Sequence, residues 1–301
     1  MPCFAPLRGY RSLQRSESGK RPLVFSYREG YHDRPVEVPC GQCVGCRQEK
    51  ARQWAVRIMH ETMLHAHNVF ITLTYAPEHL PKHGSLRKRD FQLFMKRLRK
   101  RIAPTKVRFF SSGEYGSNTF RPHYHAIIFG YGFPDKLRVG QRGEHPIYRS
   151  ATLEELWDKG HSEIGTVTYQ SASYVARYCV KKLNEVEAHE RYRRLDEETG
   201  ELVPVEAEFA TMSRRPGIGA AFYEKYGAQI HRLDSVVVNG KEMKPPKFYD
   251  DLGEVQRPEV VRLAKARRNW MVNEEDQSPQ RLTTRENVAL ERQRHFKGDS
   301  L

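Results

Sequence analysis

The sequence predicts an α+β fold: a ferredoxin-like, split βαβ antiparallel sheet, with a cysteine-rich segment before it and a basic helical region after it. Three observations carry this prediction. Stretches rich in β-branched residues alternate with stretches whose apolar residues recur every three or four positions, the signatures of strand and helix. From Val69 to Lys182 the order is strand, helix, strand, strand, helix, strand and a final helix, which is the order of a split βαβ unit with its first and third strands in the centre. The strand at Arg121–Gly130 also ends in Ala-Ile-Ile-Phe, apolar on both faces as the middle of a sheet requires.

Taken in order, residues 4 to 39 are polar with scattered aromatics and read as loop with one short strand. A helix is expected from Cys46 to about His65. Trp54, Ile58, Met59 and Met63 form its core stripe, and Arg47, Lys50, Arg52 and Arg57 lie off it, on a face that is either solvated or in contact with phosphate. Val69–Tyr75 is a strand by its β-branched content, ended by Pro77 and Pro81. Asp90–Ile102 is a helix with Phe91, Phe94, Leu98 and Ile102 inward and a dense basic back. The Val107–Tyr115 strand and a turn near Asn118 lead to the His-x-His strand. A less regular insert, Tyr131–Ser150, precedes a short helix at Thr152–Asp158, a strand at His161–Thr168 and a helix over Ser173–Lys182.

Residues 183 to 211 are charged with little periodicity, and Glu198–Glu201 reads as an exposed turn. Arg214–Gly219, followed by Phe222, Tyr223 and Tyr226, is either a phosphate-binding loop entering a helix or an ordinary turn packed on the core. Pro258–Met271 and Thr283–Phe296 read as basic helices. The expected organisation is a cysteine-rich segment and helix over 1–66, a sheet core over 67–185 and a partly helical basic region over 186–301.

Composition narrows the partners. Lys and Arg number 51 against 37 Asp and Glu, for a net charge of +14 and a pI near 9.6, which points to a polyanion. No run approaches 18 consecutive apolar residues and the N-terminus has no apolar signal region, so no membrane partner and a soluble, cytoplasmic protein are expected. Of five cysteines, Cys40, Cys43 and Cys46 are spaced by two residues and Cys3 stands near the terminus. Four thiolates would complete a closed tetrahedral zinc site that pins the N-terminus; an iron–sulfur cluster and unligated thiols are the competing readings. Cys179 reads as a buried helix residue.

The chemistry centres on Arg121–Gly130. Along a strand His123 and His125 share one face and Tyr124 takes the other. A hairpin centred near Asn118 brings Glu114 opposite His123, giving two imidazoles and a carboxylate. That mixed set suits Mg2+ or Mn2+ and leaves positions open for a phosphate. On the final helix Tyr174 and Tyr178 are one turn apart, about 6 Å along the axis, and Lys181 and Lys182 extend their face.

Phe70–Tyr75, His123-Tyr124-His125 and Tyr174–Tyr178 together resemble the three ordered motifs of HUH endonucleases. The tyrosine pair resembles that of rolling-circle initiators from small isometric single-stranded DNA phages. The likeness to the replication initiators of gokushoviruses, in the microvirus family, takes in Met1-Pro2-Cys3 and Val38–Cys46 as well, and so covers most of residues 1 to 183. Arg177 stands where related gene A proteins tend to have lysine, which keeps the charge. The resemblance implies a metal-dependent nickase acting on single-stranded and replicative-form origin DNA in a bacterial cytoplasm. Tyr174 or Tyr178 would attack the scissile phosphate, leaving a 5′-phosphotyrosine and a free 3′-OH, with Lys181 or Lys182 offsetting charge. No Gly-x4-Gly-Lys-Ser/Thr loop occurs in this sequence, so a host helicase would unwind and a host polymerase would extend. Two other readings are a relaxase or transposase of a mobile element, and a zinc-stabilised single-strand nucleic-acid binder that stacks bases on exposed sheet aromatics.

Overall fold

A computed structural model describes residues 3–17, 19, 21–116, 119–178, 190–273 and 275–296, apart from the side chains of Tyr178, His295 and Phe296. The chain divides into two compact units, residues 51–270 and residues 1–50 with 271–301. Among the described residues no helix is long and apolar enough to cross a membrane.

In the unit of residues 1–50 and 271–301, β1 (Leu7–Ser12), β2 (Leu23–Val24) and β3 (Gly30–Val38) form a three-stranded sheet in the order β2-β1-β3. This corrects the expectation of loop with one strand over residues 4–39. β3 is exposed along most of its length, so no apolar alternation marked it. Helix α1 (Val44–Thr62) begins in this unit and runs into the next. Helix α8 (Pro279–Phe296) belongs to the terminal unit.

The larger unit is built on a seven-stranded sheet. Its central strands are β4 (Asn68–Tyr75), β5 (Arg108–Tyr115), β6 (Pro122–Phe129) and β9 (Gly160–Gly165), ordered β5-β6-β4-β9, with every neighbouring pair antiparallel. β4 and β6, first and third in the chain order, are the middle pair of these four. Helices α2 (Lys88–Arg101) and α3 (Ala151–Leu156) follow β4 and β6 respectively.

Period-two alternation divides the sheet residues between two cores. Val69, Ile71, Leu73, Tyr124, Ala126 and Ile128 pack with Phe91, Phe94 and Leu98 of α2 and with Leu153 and Leu156 of α3. On the other face Phe70, Phe110, Ile127 and Phe129 meet Ala55 and Ile58 of α1 and Ala172 and Val175 of α4 (Tyr169–Tyr178). The Ala-Ile-Ile-Phe run is buried on both faces, as its composition demands. In α1 the predicted stripe holds for Trp54, Ile58 and Met59, whereas Met63 lies past the last turn and is exposed.

Three segments hold more structure than their sequence suggests. The Tyr131–Ser150 insert is a hairpin, β7 (Leu137–Arg142) and β8 (His145–Arg149), that extends the sheet beyond β9, with a register shift between Arg138 and Gly140. Within 183–211, β10 (Arg193–Leu195) and β11 (Leu202–Pro204) form a hairpin around the expected Glu198–Glu201 turn. β12 (Phe209–Met212) then pairs with the outer edge of β5. Beyond it come α5 (Ala220–Leu233), the hairpin β13 (Val236–Val238) and β14 (Lys241–Met243), α6 (Lys247–Gln256) and α7 (Pro258–Trp270).

A buried polar chain ties β4, β6 and α2 together. Tyr75 donates to Asp90 Oδ2 at 2.7 Å, and its oxygen lies 2.7 Å from the Tyr124 hydroxyl, which also accepts from the Arg87 N–H at 3.0 Å. Tyr75, Asp90 and Tyr124 are all buried, so removing the Tyr75 hydroxyl takes a donor from the buried Asp90 carboxylate, while Tyr124 keeps its bonds to the Arg87 backbone. Tyr75→Phe should therefore lower the unfolding free energy by about 1–3 kcal/mol, measured by urea denaturation with an unchanged slope.

Candidate active site

The β5–β6 ladder pairs Glu114 with His123 and Ser112 with His125, and β4 continues these rows with Thr74 and Thr72. Period-two alternation therefore gathers Glu114, His123, His125, Thr72 and Thr74 on one face of the sheet. Helix α4 crosses that face. Its start is capped in both directions: Thr168 Oγ1 accepts from the Ser171 N–H at 3.1 Å and Ser171 Oγ accepts from the Thr168 N–H at 2.8 Å. Such reciprocal capping fixes the first turn, and one turn later Tyr174 faces the carboxylate.

Three groups converge on one oxygen, Glu114 Oε1. His125 Nε2 lies 2.7 Å from it, His123 Nε2 3.2 Å, and the Tyr174 hydroxyl donates to it at 2.6 Å. Burial works against ionisation of Glu114, but the two imidazoles and the tyrosine hydroxyl outweigh it and hold the carboxyl at about 2. Burial, and then the negative charge of Glu114, push the Tyr174 hydroxyl well above the ordinary phenol range. On the ring of His125, Nδ1 is 3.0 Å from Thr72 Oγ1, while Phe70 stacks on its plane with centroids 5.5 Å apart.

The donor set fits a divalent cation. Glu114 Oε2 is buried without a hydrogen-bond partner among the described residues, and the other oxygen of the same carboxylate is the one that faces His125 Nε2. Buried polar atoms of this kind are rare unless something absent completes them. The donor atoms of Glu114, His123 and His125 lie within 4.8 Å of one another, and Thr72 holds His125 from behind as an outer partner of a metal-bound imidazole does. Thr72 falls within the Phe70–Tyr75 motif, where sequence alone gives it no role; the β4–β6 register, which sets it beside His125, supplies one.

Tyr178 is the last residue of α4, one helical turn after Tyr174, and its side chain is outside the described residues. Lys181, Lys182 and Cys179 also lie outside them, as does Asn118 of the predicted turn. Arg177 is exposed on α4.

A second set lies in the terminal unit. The sulfurs of Cys3, Cys40, Cys43 and Cys46 are within 4.8 Å of one another and none is in a disulfide. Cys40 Sγ and Cys46 Sγ are 4.0 Å apart, against the roughly 3.8 Å expected for thiolates about 2.3 Å from one tetrahedral ion. Backbone N–H groups point at the sulfurs: Phe4 and Cys43 donate to Cys43 and Cys40 respectively, at 3.4 and 3.3 Å, and Cys40 donates to Cys3 at 3.3 Å. Burial raises the thiols of Cys3 and Cys46. For Cys43 burial is outweighed by the Phe4 N–H and the neighbouring cysteines, which bring the thiol down to about 7.

The Arg214–Gly219 loop resolves toward the structural alternative. Gly219, with φ of 78°, is the N-cap of α5, and its N–H donates to Glu61 Oε2 at 2.7 Å. Glu61 Oε1 accepts from Arg108 Nε at 2.5 Å. The protein's own carboxylate thus occupies the helix end that a phosphate would need. Of the α1 arginines, Arg57 is sandwiched between Trp54 and Phe248, 3.8 and 3.7 Å from their ring centres.

Comparison with known proteins places the chain in a family. Residues 68–183, from β4 to just past α4, match the family model of replication-associated protein ORF2/G2P. The chain is 36% identical over 231 residues to replication-associated protein VP4 of Bdellovibrio phage phiMH2K, covering 73% of this chain and 69% of that protein. It is 36% identical over 227 residues to replication-associated protein ORF2 of Spiroplasma virus 4, covering 71% and 66%. With replication-associated protein ORF4 of Chlamydia phage 1 it shares 27% identity over 238 residues, 74% of this chain and 56% of that one. No solved structure matches the chain. The chain belongs to the family of phage replication-associated proteins, of the gokushovirus type.

Proposed function

We propose that this protein is an HUH nickase and strand transferase that starts rolling-circle replication by cutting one DNA strand at the phage origin. The observation that carries the reading is the hydrogen bond from Tyr174 to Glu114, a carboxylate that also faces His123 and His125. A nucleophile and a cation-binding set on one face form the constellation that phosphodiester transfer needs. The strand order β9-β4-β6-β5, with the imidazoles on a central strand, supports the HUH core. So does the sheet face, which offers imidazoles, threonines and a carboxylate where a base-stacking binder would expose aromatics.

His123, His125 and Glu114 would hold Mg2+ or Mn2+. Bound there, the ion supplies Lewis acidity toward the nonbridging oxygens of the scissile phosphate and offsets the negative charge of Glu114. The phenolic oxygen of Tyr174 or Tyr178 attacks phosphorus, the P–O3′ bond breaks, and the 3′ oxygen takes up a proton as a free hydroxyl. The 5′ phosphate stays on the tyrosine. Burial and Glu114 hold the Tyr174 proton firmly, so positive charge at the site is required for attack, and Lys181 or Lys182 would supply part of it. The second tyrosine then cuts the regenerated origin, and the released 3′-OH attacks the first linkage to close the displaced strand. A host helicase and polymerase supply unwinding and synthesis in the bacterial cytoplasm.

Cys3, Cys40, Cys43 and Cys46 bind one structural Zn2+. Their sulfur separations suit a single tetrahedral ion; a four-iron cluster spreads its thiolates over separate irons and needs a wider set.

Incubated with single-stranded origin DNA and Mn2+ or Mg2+, the protein should form a covalent adduct that survives a denaturing gel. Replacing both Tyr174 and Tyr178 by Phe should abolish the adduct; its persistence would sink the mechanism. Removing the added divalent cation should stop cutting and spare salt-sensitive DNA binding. Thr72→Val should weaken Mn2+ binding by about 10- to 100-fold in a direct titration, whereas Thr72→Ser should keep it. Elemental analysis of the purified protein should find one zinc per chain, and Cys43→Ser should lower both that content and the melting temperature.

A further inference from the structure

Ser112 is fully buried in the middle of β5, and its hydroxyl has no hydrogen-bond partner among the described residues. A buried hydroxyl without a partner lowers stability, and native proteins rarely keep one without a use for it. Alanine would fill the same place in the strand without that cost. Ser111 shows the ordinary solution. It sits on the opposite face, paired in the ladder with Ala126 of the α2-side core, and its Oγ lies 2.8 Å from Thr211 Oγ1.

Alternation along β5 puts Ser112 on the face that carries Phe110 and Glu114, the face crossed by α4. It stands opposite His125 of β6 on one side and Ala210 of β12 on the other, and directly opposed Cβ atoms are about 4.5–5.5 Å apart. Its neighbours on that face of the sheet are therefore Phe110, Ala210, His125 and Glu114. The first two side chains have no polar atom, and neither have Ala172 and Val175, which α4 packs onto this face. Both ring nitrogens of His125 already face a partner, Nδ1 with Thr72 Oγ1 at 3.0 Å and Nε2 with Glu114 Oε1 at 2.7 Å. That leaves Glu114 Oε2, which is itself buried without a partner among the described residues. The carboxylate leans toward Ser112 as well: Glu114 pairs with His123 in the ladder, yet its Oε1 is nearer to His125, the residue opposite Ser112.

A cation held at one oxygen of Glu114 leaves the other oxygen buried and in need of a donor. We infer that Ser112 is a positioning residue of the cation site: its hydroxyl donates to the Glu114 oxygen that the ion does not take, which fixes the plane of the carboxylate and aims its other oxygen at the ion. The serine hydroxyl has three staggered positions open to it, so closing this bond requires no movement of the strand. Thr72 supports His125 from the other side of the same row. Ser112 and Thr72 thus flank His125 and each steadies a different ligand, as the outer partners of metal-bound residues do. The inference rests on the reading of Glu114, His123 and His125 as cation ligands, and adds a residue that acts through one of them.

The test is a calorimetric titration of the full chain with Mn2+, paired with thermal melting in buffer without added divalent cation. Ser112→Ala should bind Mn2+ about 10- to 100-fold more weakly than the original. Without added Mn2+ the same variant should melt no lower than the original, because the lost hydroxyl leaves no partner behind. A residue that serves only the fold would give the reverse pattern. Ser111→Ala, on the other face of the same strand, should leave Mn2+ affinity unchanged. The inference is wrong if Ser112→Ala binds Mn2+ as the original does, if it melts lower without added cation, or if Ser111→Ala weakens Mn2+ binding as much. If the original protein takes up no Mn2+, the cation reading falls and the inference with it; a Ser112→Ala protein that binds Mn2+ unchanged overturns the inference alone.

Discussion

The pairing of Glu114 with His123 across the β5–β6 ladder is the constraint on which the site depends. A one-residue slip of β6 would turn the imidazoles toward the α2 core and away from the Glu114 carboxylate, because strand side chains alternate faces. The register is secured from both sides. Ile127 and Phe129 must reach the α1–α4 core while Tyr124, Ala126 and Ile128 reach the other. Tyr124 is then locked to Tyr75 and Arg87 by hydrogen bonds that only one register satisfies. Hydrophobic burial on two faces thus positions polar groups on one of them.

Two buried carboxylates show how the same residue type serves different ends. Glu61 has both oxygens engaged, one by Arg108 and one by the Gly219 N–H, and joins α1, β5 and the start of α5. Glu114 has three neighbours on Oε1 and none among the described residues on the buried Oε2. A fully satisfied carboxylate holds structure in place. One left with an open oxygen beside two imidazoles has capacity to spare for a ligand, and Tyr174 is within reach of whatever arrives.

Much of this was legible in the sequence, and the limits have physical causes. The β4, β5, β6 and β9 strands and the α2 stripe announced themselves because they bury one or two faces, and burial writes a period into the residues. The Glu114–His123 register followed from a turn placed near Asn118. β7 was missed because both of its faces are exposed, with Leu137 and Val139 among charged residues. β12 was missed because four residues, Phe209–Met212, are too few to show a period, and the waiting edge of β5 decides their conformation. The role of the Arg214–Gly219 loop depended on Glu61, more than 150 residues earlier, a partner that no local pattern names.

The sheet ends in two different ways. On one side β12 covers β5 with a strand of four residues; on the other, β7 carries Arg138 and Arg142 and shifts register at Arg138–Gly140. Short, charged or irregular margins make poor templates for another chain's backbone. Two copies of the protein that meet along these margins find no long, regular edge on which to pair, so a chain rich in buried β-structure offers its neighbours no template for sheet growth.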